Sequence, residues 1–149
     1  MSGRPALTYG TCVALGPVAA LLLGRSGSGK SDLALRFAMM MPAAEGPFLV
    51  ADDQVLLEAL GGRVIARPPA ALAGKIEVRG IGIVSLPFRA EAELRLAIRL
   101  SEPDDVPRMP PVTLPAITLA GVDLPVLRLA PFEASAPWKL RLALEGIAR

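Results

Sequence analysis

The sequence predicts an α/β fold in which a strand-rich mixed sheet with few helices surrounds a phosphate-binding loop, arranged as a single domain over residues 1–149. Three observations carry that prediction. Gly24-Arg25-Ser26-Gly27-Ser28-Gly29-Lys30-Ser31 is a complete G-x-x-x-x-G-K-[ST] octapeptide, whose backbone amides, lysine and hydroxyl together suit the phosphates of a nucleoside triphosphate and a Mg²⁺ ion. It lies between an apolar run fit for a buried strand, Ala19 to Leu23, and a helical pattern, Ser31 to Met41, whose N-terminus would face the phosphates. Short apolar runs bounded by Gly or Pro make up most of the remainder.

Taken in order, Tyr9 to Leu15 and Ala19 to Leu23 read as two strands joined at Gly16-Pro17. Phe48 to Ala51, Val55 to Ala59 and Val64 to Ala66 also read as extended. Glu91 to Leu100 alternates, with Leu94, Leu96, Ile98 and Leu100 on one face and Glu93, Arg95 and Arg99 on the other, which predicts a half-exposed strand. Pro103 to Pro115 holds five of the fifteen prolines and predicts an exposed loop. Ile117–Leu119 and Val122–Leu124 flank Ala120-Gly121 as a hairpin. Finally, Ser135 as N-cap and Pro137 in the first turn open a helix that buries Leu140, Leu144 and Ile147.

Composition narrows the function. The chain is 52% hydrophobic with a mean hydropathy of +0.49, and Pro5 to Gly24 carries no charge. That stretch is nevertheless broken by Thr8, Gly10, Gly16 and Pro17 and runs into the phosphate loop, so no membrane span is expected. The net charge of +2 comes from scattered arginines and aromatic residues are only 4%, which gives no basis for nucleic-acid binding. The lone Cys12 forms no internal disulfide and fits a reducing cytoplasm. With no histidine in the chain to activate it, a packing role is expected for Cys12.

Phosphoryl transfer needs carboxylates as well as a phosphate loop. Phe48-Leu49-Val50-Ala51-Asp52-Asp53 ends an apolar run in two aspartates about one helix after the loop. An adjacent strand would deliver them beside the triphosphate, and their opposite directions give them separate roles. The alternative is a solvated acidic pair at a turn. Ile76 to Ile83 contains Glu77 and Arg79 two residues apart in a strand-like stretch, hence on one face. Spacing alone leaves two readings open there: a metal ligand beside a phosphate-binding cation, or a surface ion pair.

The phosphate loop, Leu49-Val50-Ala51-Asp52-Asp53 and Glu77-Val78-Arg79-Gly80-Ile81-Gly82-Ile83 resemble, in order and spacing, the HPr kinase/phosphorylase family of the bacterial phosphotransferase system. The likeness runs from about Tyr9 to Arg128. It is nearest to the short forms consisting of the catalytic domain alone, as in alphaproteobacteria, which also carry a stretch like Pro131 to Ala136. The resemblance implies a P-loop kinase-like domain, with ATP and Mg²⁺ as cofactors, an HPr-like phosphocarrier as partner, and a homo-oligomer, a hexamer in the family.

It also implies roles. Gly24 to Ser31 would bind ATP, Ser31 and Glu77 would be metal ligands, and Asp53 would accept the proton of the attacking serine. Asp52 would support the metal or water shell, and Arg79 would add charge near the transferred group. Arg108, in Pro107-Arg108-Met109, aligns with a family arginine or is an ordinary solvated loop residue. The family histidine before the loop is matched by Tyr9, whose reference pKa about 10 does not replace a group titrating near neutrality, so reverse phosphorolysis is not expected. The alternatives are a small-molecule kinase or simple NTPase, and a nucleotide-sensing module with little turnover.

Overall fold

In a computed structural model, which describes residues 4–40 and 44–148, eleven strands and two helices form one mixed α/β arrangement. β1 (Ala6–Tyr9), β2 (Thr11–Leu15) and β3 (Val18–Leu23) precede α1 (Lys30–Ala38). There follow β4 (Phe48–Ala51), β5 (Gln54–Leu60), β6 (Arg63–Arg67), β7 (Lys75–Val78), β8 (Gly82–Ser85) and β9 (Ala92–Leu100). β10 (Ala116–Leu119), β11 (Val122–Leu129) and α2 (Ala136–Ala148) complete the chain. The main sheet runs β1-β5-β6-β9-β3-β2-β4, while β7 and β8 form a separate hairpin. β3 pairs in parallel with β9, β9 pairs in parallel with β11, and the other named pairings are antiparallel.

The predicted strands all form, but two differ in detail. Tyr9 to Leu15 is not one strand: it breaks at Gly10, so that β1 pairs with β5 and β2 pairs with β3 and β4. A Cβ on Gly10 would lie 2.9 Å from Leu21 Cδ1, and the Gly10 N–H donates to the Asp53 carbonyl at 3.0 Å. The backbone passes too close to β3 there for a side chain, and the strand changes partners.

The second difference is β9. Its register against β3 steps from Ala19↔Leu94 to Ala20↔Leu96, leaving Arg95 as an extra residue. That bulge reverses the facing, so Ala92 and Leu94 join one core and Leu96 and Ile98 the other, instead of sharing a face. Leu94, Leu96 and Ile98 are buried as expected, and Ala97 with them, while Glu93 and Arg95 are half-buried and Arg99 is exposed. One edge of β9 lies along β3, and the other is shared by β6 at Ala92 to Leu94 and β11 at Ala97 to Leu100.

One core packs the sheet against the helices. Leu33, Ala34 and Phe37 of α1 and Leu140 and Leu144 of α2 meet Val13, Ala20, Leu22, Leu96 and Ile98 of the sheet. Full burial of side chains of this kind contributes about 1.5–3 kcal/mol each. The other core lies on the opposite face of β2 and β3, with Cys12, Leu21, Val55, Leu57, Leu94 and Leu124. Cys12 is fully buried there, and burial pushes its thiol well above the ordinary range, which leaves it inert and in the packing role expected of it.

α1 begins one residue earlier than the sequence pattern indicated and ends at Ala38; Met41, where the pattern ended, lies outside the described residues. Ala120 and Gly121, at φ 50° and 77°, make the two-residue turn between β10 and β11. Positive φ at both positions suits the twist of a tight hairpin. No described helix is long and apolar enough to cross a membrane, and the uncharged stretch from Pro5 is taken up by β1, β2 and β3.

Candidate active site

β3 delivers the chain into the loop Gly24 to Gly29, and α1 starts at Lys30 immediately after it. Two glycines are required by space. A Cβ on Gly24 would stand 2.4 Å from Ser28 Oγ, and one on Gly29 would stand 2.9 Å from Phe132 Cζ. Gly29 also has φ 100°, which side-chain-bearing residues disfavour. The loop is closed by the Ser28 N–H donating to the Arg25 carbonyl at 2.9 Å.

The polar groups of this loop are arranged for an anionic guest. Lys30 Nζ donates to the carbonyls of Gly24 at 2.6 Å and Arg25 at 3.0 Å, which holds its charge over the loop. Ser28 Oγ is buried and has no hydrogen-bond partner among the described residues. A glycine cradle, a poised ammonium and an orphaned hydroxyl fit a polyphosphate.

β4 brings the carboxylates. Asp52 Oδ1 accepts from Ser31 Oγ at 2.6 Å and from Thr11 Oγ1 at 3.2 Å. Asp53 follows at φ 67°, exposed, with its N–H donating to Thr11 Oγ1 at 3.5 Å and its carbonyl accepting from Gly10. The two aspartates thus occupy a bend between β4 and β5, one tied inward to the loop serine and one turned to solvent.

Sequence reasoning missed Thr11. It is the one fully buried polar residue in the described structure, and it holds both aspartates from β2. The signal available was a single hydroxyl within an otherwise apolar run. Thr11→Val should lower stability by about 1 kcal/mol, as expected for a lost buried hydrogen bond, whereas Thr11→Ser should retain most of it. Urea midpoints of the two variants check this; equal midpoints would refute the bracing role.

The β7–β8 hairpin packs Ile76 into the helix-side core and leaves Glu77 exposed. Arg79 does not continue the strand as its spacing implied: β7 ends at Val78, and Arg79 lies in the turn closed by the Ile81 N–H on the Val78 carbonyl at 3.0 Å. Both side chains nevertheless border the same space. A cavity of about 670 Å³ gathers Ser26, Gly27, Gly29, Lys30 and Ser31 with Asp52, Asp53, Glu77 and Arg79. Gly24, Arg25 and Ser28 border a second cavity on the other side of the loop. Arg108 borders neither and is exposed in the proline-rich loop.

No group of three or more Asp, Glu, Cys or His among the described residues forms a metal cage. Mg²⁺ needs none, since it keeps several waters and takes its remaining oxygens from one or two carboxylates and substrate phosphates. Ser31, Asp52 and Glu77, which border the same cavity, are oxygen donors of the kind such an ion takes.

Comparison with known proteins agrees with this architecture. The structure of the Hpr(Ser) kinase/phosphatase from Coxiella burnetii superposes with a TM-score of 0.77 over 95% of each chain at 21% identity, which is a likeness of fold. The HPr kinase/phosphorylase of Clostridium tetani is 37% identical over 79 residues, 53% of this chain and 24% of that protein. That of Mycoplasmopsis pulmonis is 33% identical over 78 residues, 52% of this chain and again 24% of the relative. These matches thus span about a quarter of the length of the curated relatives. The profile of the HPr Serine kinase C-terminal domain matches far more of the chain, residues 4–128, and by that match the chain belongs to the HPr serine kinase C-terminal domain family.

Proposed function

We propose that the protein is an ATP- and Mg²⁺-dependent serine kinase whose substrate is an HPr-type phosphocarrier. One observation carries the reading: a single cavity collects Lys30 and Ser31 of the phosphate loop with Asp52, Asp53, Glu77 and Arg79 from two other segments. A nucleotide-binding fold needs the first two residues; the others are what phosphoryl transfer adds.

In this reading Lys30 leaves the Gly24 and Arg25 carbonyls to pair with phosphate oxygens, joined by the loop amides. Ser31 and Glu77 hold Mg²⁺, with Asp52 bracing Ser31; when bound, the ion neutralises phosphate charge and aligns the oxygens. Asp53 takes the proton of the attacking serine hydroxyl, and Arg79 offsets charge on the transferred group. Arg108, outside both cavities, is assigned no step.

Only the kinase direction is proposed. Tyr9, standing where the family has a histidine, ends β1, is 70% exposed and borders neither cavity. We further infer a single catalytic domain over residues 1–149 that works in the cytoplasm as a homo-oligomer, which the family resemblance supports. Incubation with γ-labelled ATP, Mg²⁺ and an HPr-type carrier should place acid-stable label on a carrier serine. ATP binding with no labelled protein would overturn the kinase reading in favour of a sensing module, and label confined to small molecules would favour a small-molecule kinase.

A further inference from the structure

The phosphate loop has a second side. β4 and its aspartates reach the loop through β2, while β9 and β11 flank β3 on the opposite edge. The segments leaving β9 and β11 wall a cavity of about 650 Å³ against the outer side of Gly24 to Ser28. This is within the range of small-molecule sites. The two cavities share Ser26, Gly27 and Phe132, so one extended ligand can occupy both.

Their chemistry differs. The second cavity carries carboxylates at Glu102, Asp105 and Glu133 and no lysine, and one of its two arginines beyond the loop, Arg128, donates to Ser101 Oγ at 3.0 Å. Lys30 and Ser31 of the phosphate loop border the first cavity and not the second, while the carboxylates of the second can accept hydrogen bonds from hydroxyl and amino groups. The phosphates of a bound nucleotide therefore belong in the first cavity, and its uncharged end in the second.

Phe132 stands at the partition. The residue is 72% exposed, yet its ring lies against Gly29, and its position is held from α1. Arg36 donates to the carbonyls on either side of it, those of Pro131 and Glu133, and is itself oriented by Asp32 at 2.9 Å. A large apolar ring that is anchored through its backbone but left uncovered offers a face for a flat ligand.

Resting on the triphosphate reading of the first cavity, we propose that the second cavity is a nucleoside subsite in which Phe132 stacks on the base. Glu102 and Asp105 then serve as acceptors for the sugar hydroxyls. The test is equilibrium binding, in Mg²⁺, of ATP and of inorganic tripolyphosphate to the wild type, Phe132→Ala and Phe132→Trp. Phe132→Ala should weaken ATP about fivefold to about a hundredfold, the range for removing one base–aromatic stack, and leave tripolyphosphate unchanged. Phe132→Trp should keep ATP affinity and report the nucleotide as a change in tryptophan fluorescence that tripolyphosphate does not produce.

Equal ATP affinity in Phe132→Ala, or an equal loss for both compounds, would overturn the subsite. So would wild-type protein that binds tripolyphosphate as tightly as ATP. Wild-type protein that binds neither would overturn the triphosphate reading itself, and the subsite with it.

Discussion

Lys30→Ala is expected to weaken ATP binding about tenfold to about a hundredfold, the equivalent of losing a charge-assisted hydrogen bond, and to lower serine phosphorylation by at least about a hundredfold. The binding loss follows from position: the ammonium is already gathered over the loop by two carbonyls, with no salt-bridge partner among the described residues. Little reorganisation stands between the empty loop and an engaged one. The larger effect on transfer arises because charge on the phosphoryl oxygens must be met at the moment of reaction. Calorimetry gives the first quantity and the labelled-carrier assay the second. ATP affinity unaltered by the substitution would remove the phosphate loop from the site.

The second large effect concerns Asp53. Asp53→Asn should leave ATP affinity as it is and lower transfer by about a hundredfold to about ten-thousandfold, the range for a lost general base. Asparagine is the informative replacement. At φ 67° most side chains are strained, but asparagine tolerates that backbone, so the bend at Thr11 and Gly10 persists while the carboxylate disappears. Asp53→Ala removes the same group with added backbone strain, so agreement between the two variants would separate chemistry from geometry. Full transfer in Asp53→Asn would exclude proton acceptance by this residue.

The phosphate loop was readable because its function is local: eight consecutive residues contain all of its parts, and strand and helix flank them directly. The extended segments were readable because Gly and Pro bound them. What could not be read is whatever depends on which strand lies next to which. Thr11 looks like a minor interruption of an apolar run until β2 is seen beside β4, where it braces both aspartates. Leu94 and Leu96 are two apart and were expected together, but the bulge at Arg95 turns them to opposite cores. The assumed common face of Glu77 and Arg79 needed a strand, whereas a turn brings them to the same cavity. Phe132 was noticed only as part of the Pro131 to Ala136 stretch, since its setting is made by an arginine far upstream in the chain.

That distance bears on when the protein becomes competent during synthesis. The loop and both β2 and β3 leave the ribosome before β9, with Gly16-Pro17 forming the tight turn between the two strands. The parallel partner of β3 is β9, and the Arg36 anchor waits for Pro131 and Glu133, 95 and 97 residues later. At about 5–20 residues per second the loop would stand open for several seconds before its second wall arrives. A nascent chain would therefore display the full octapeptide before the second wall of its loop exists, and ligand binding there would reward only a chain in which Glu133 has emerged.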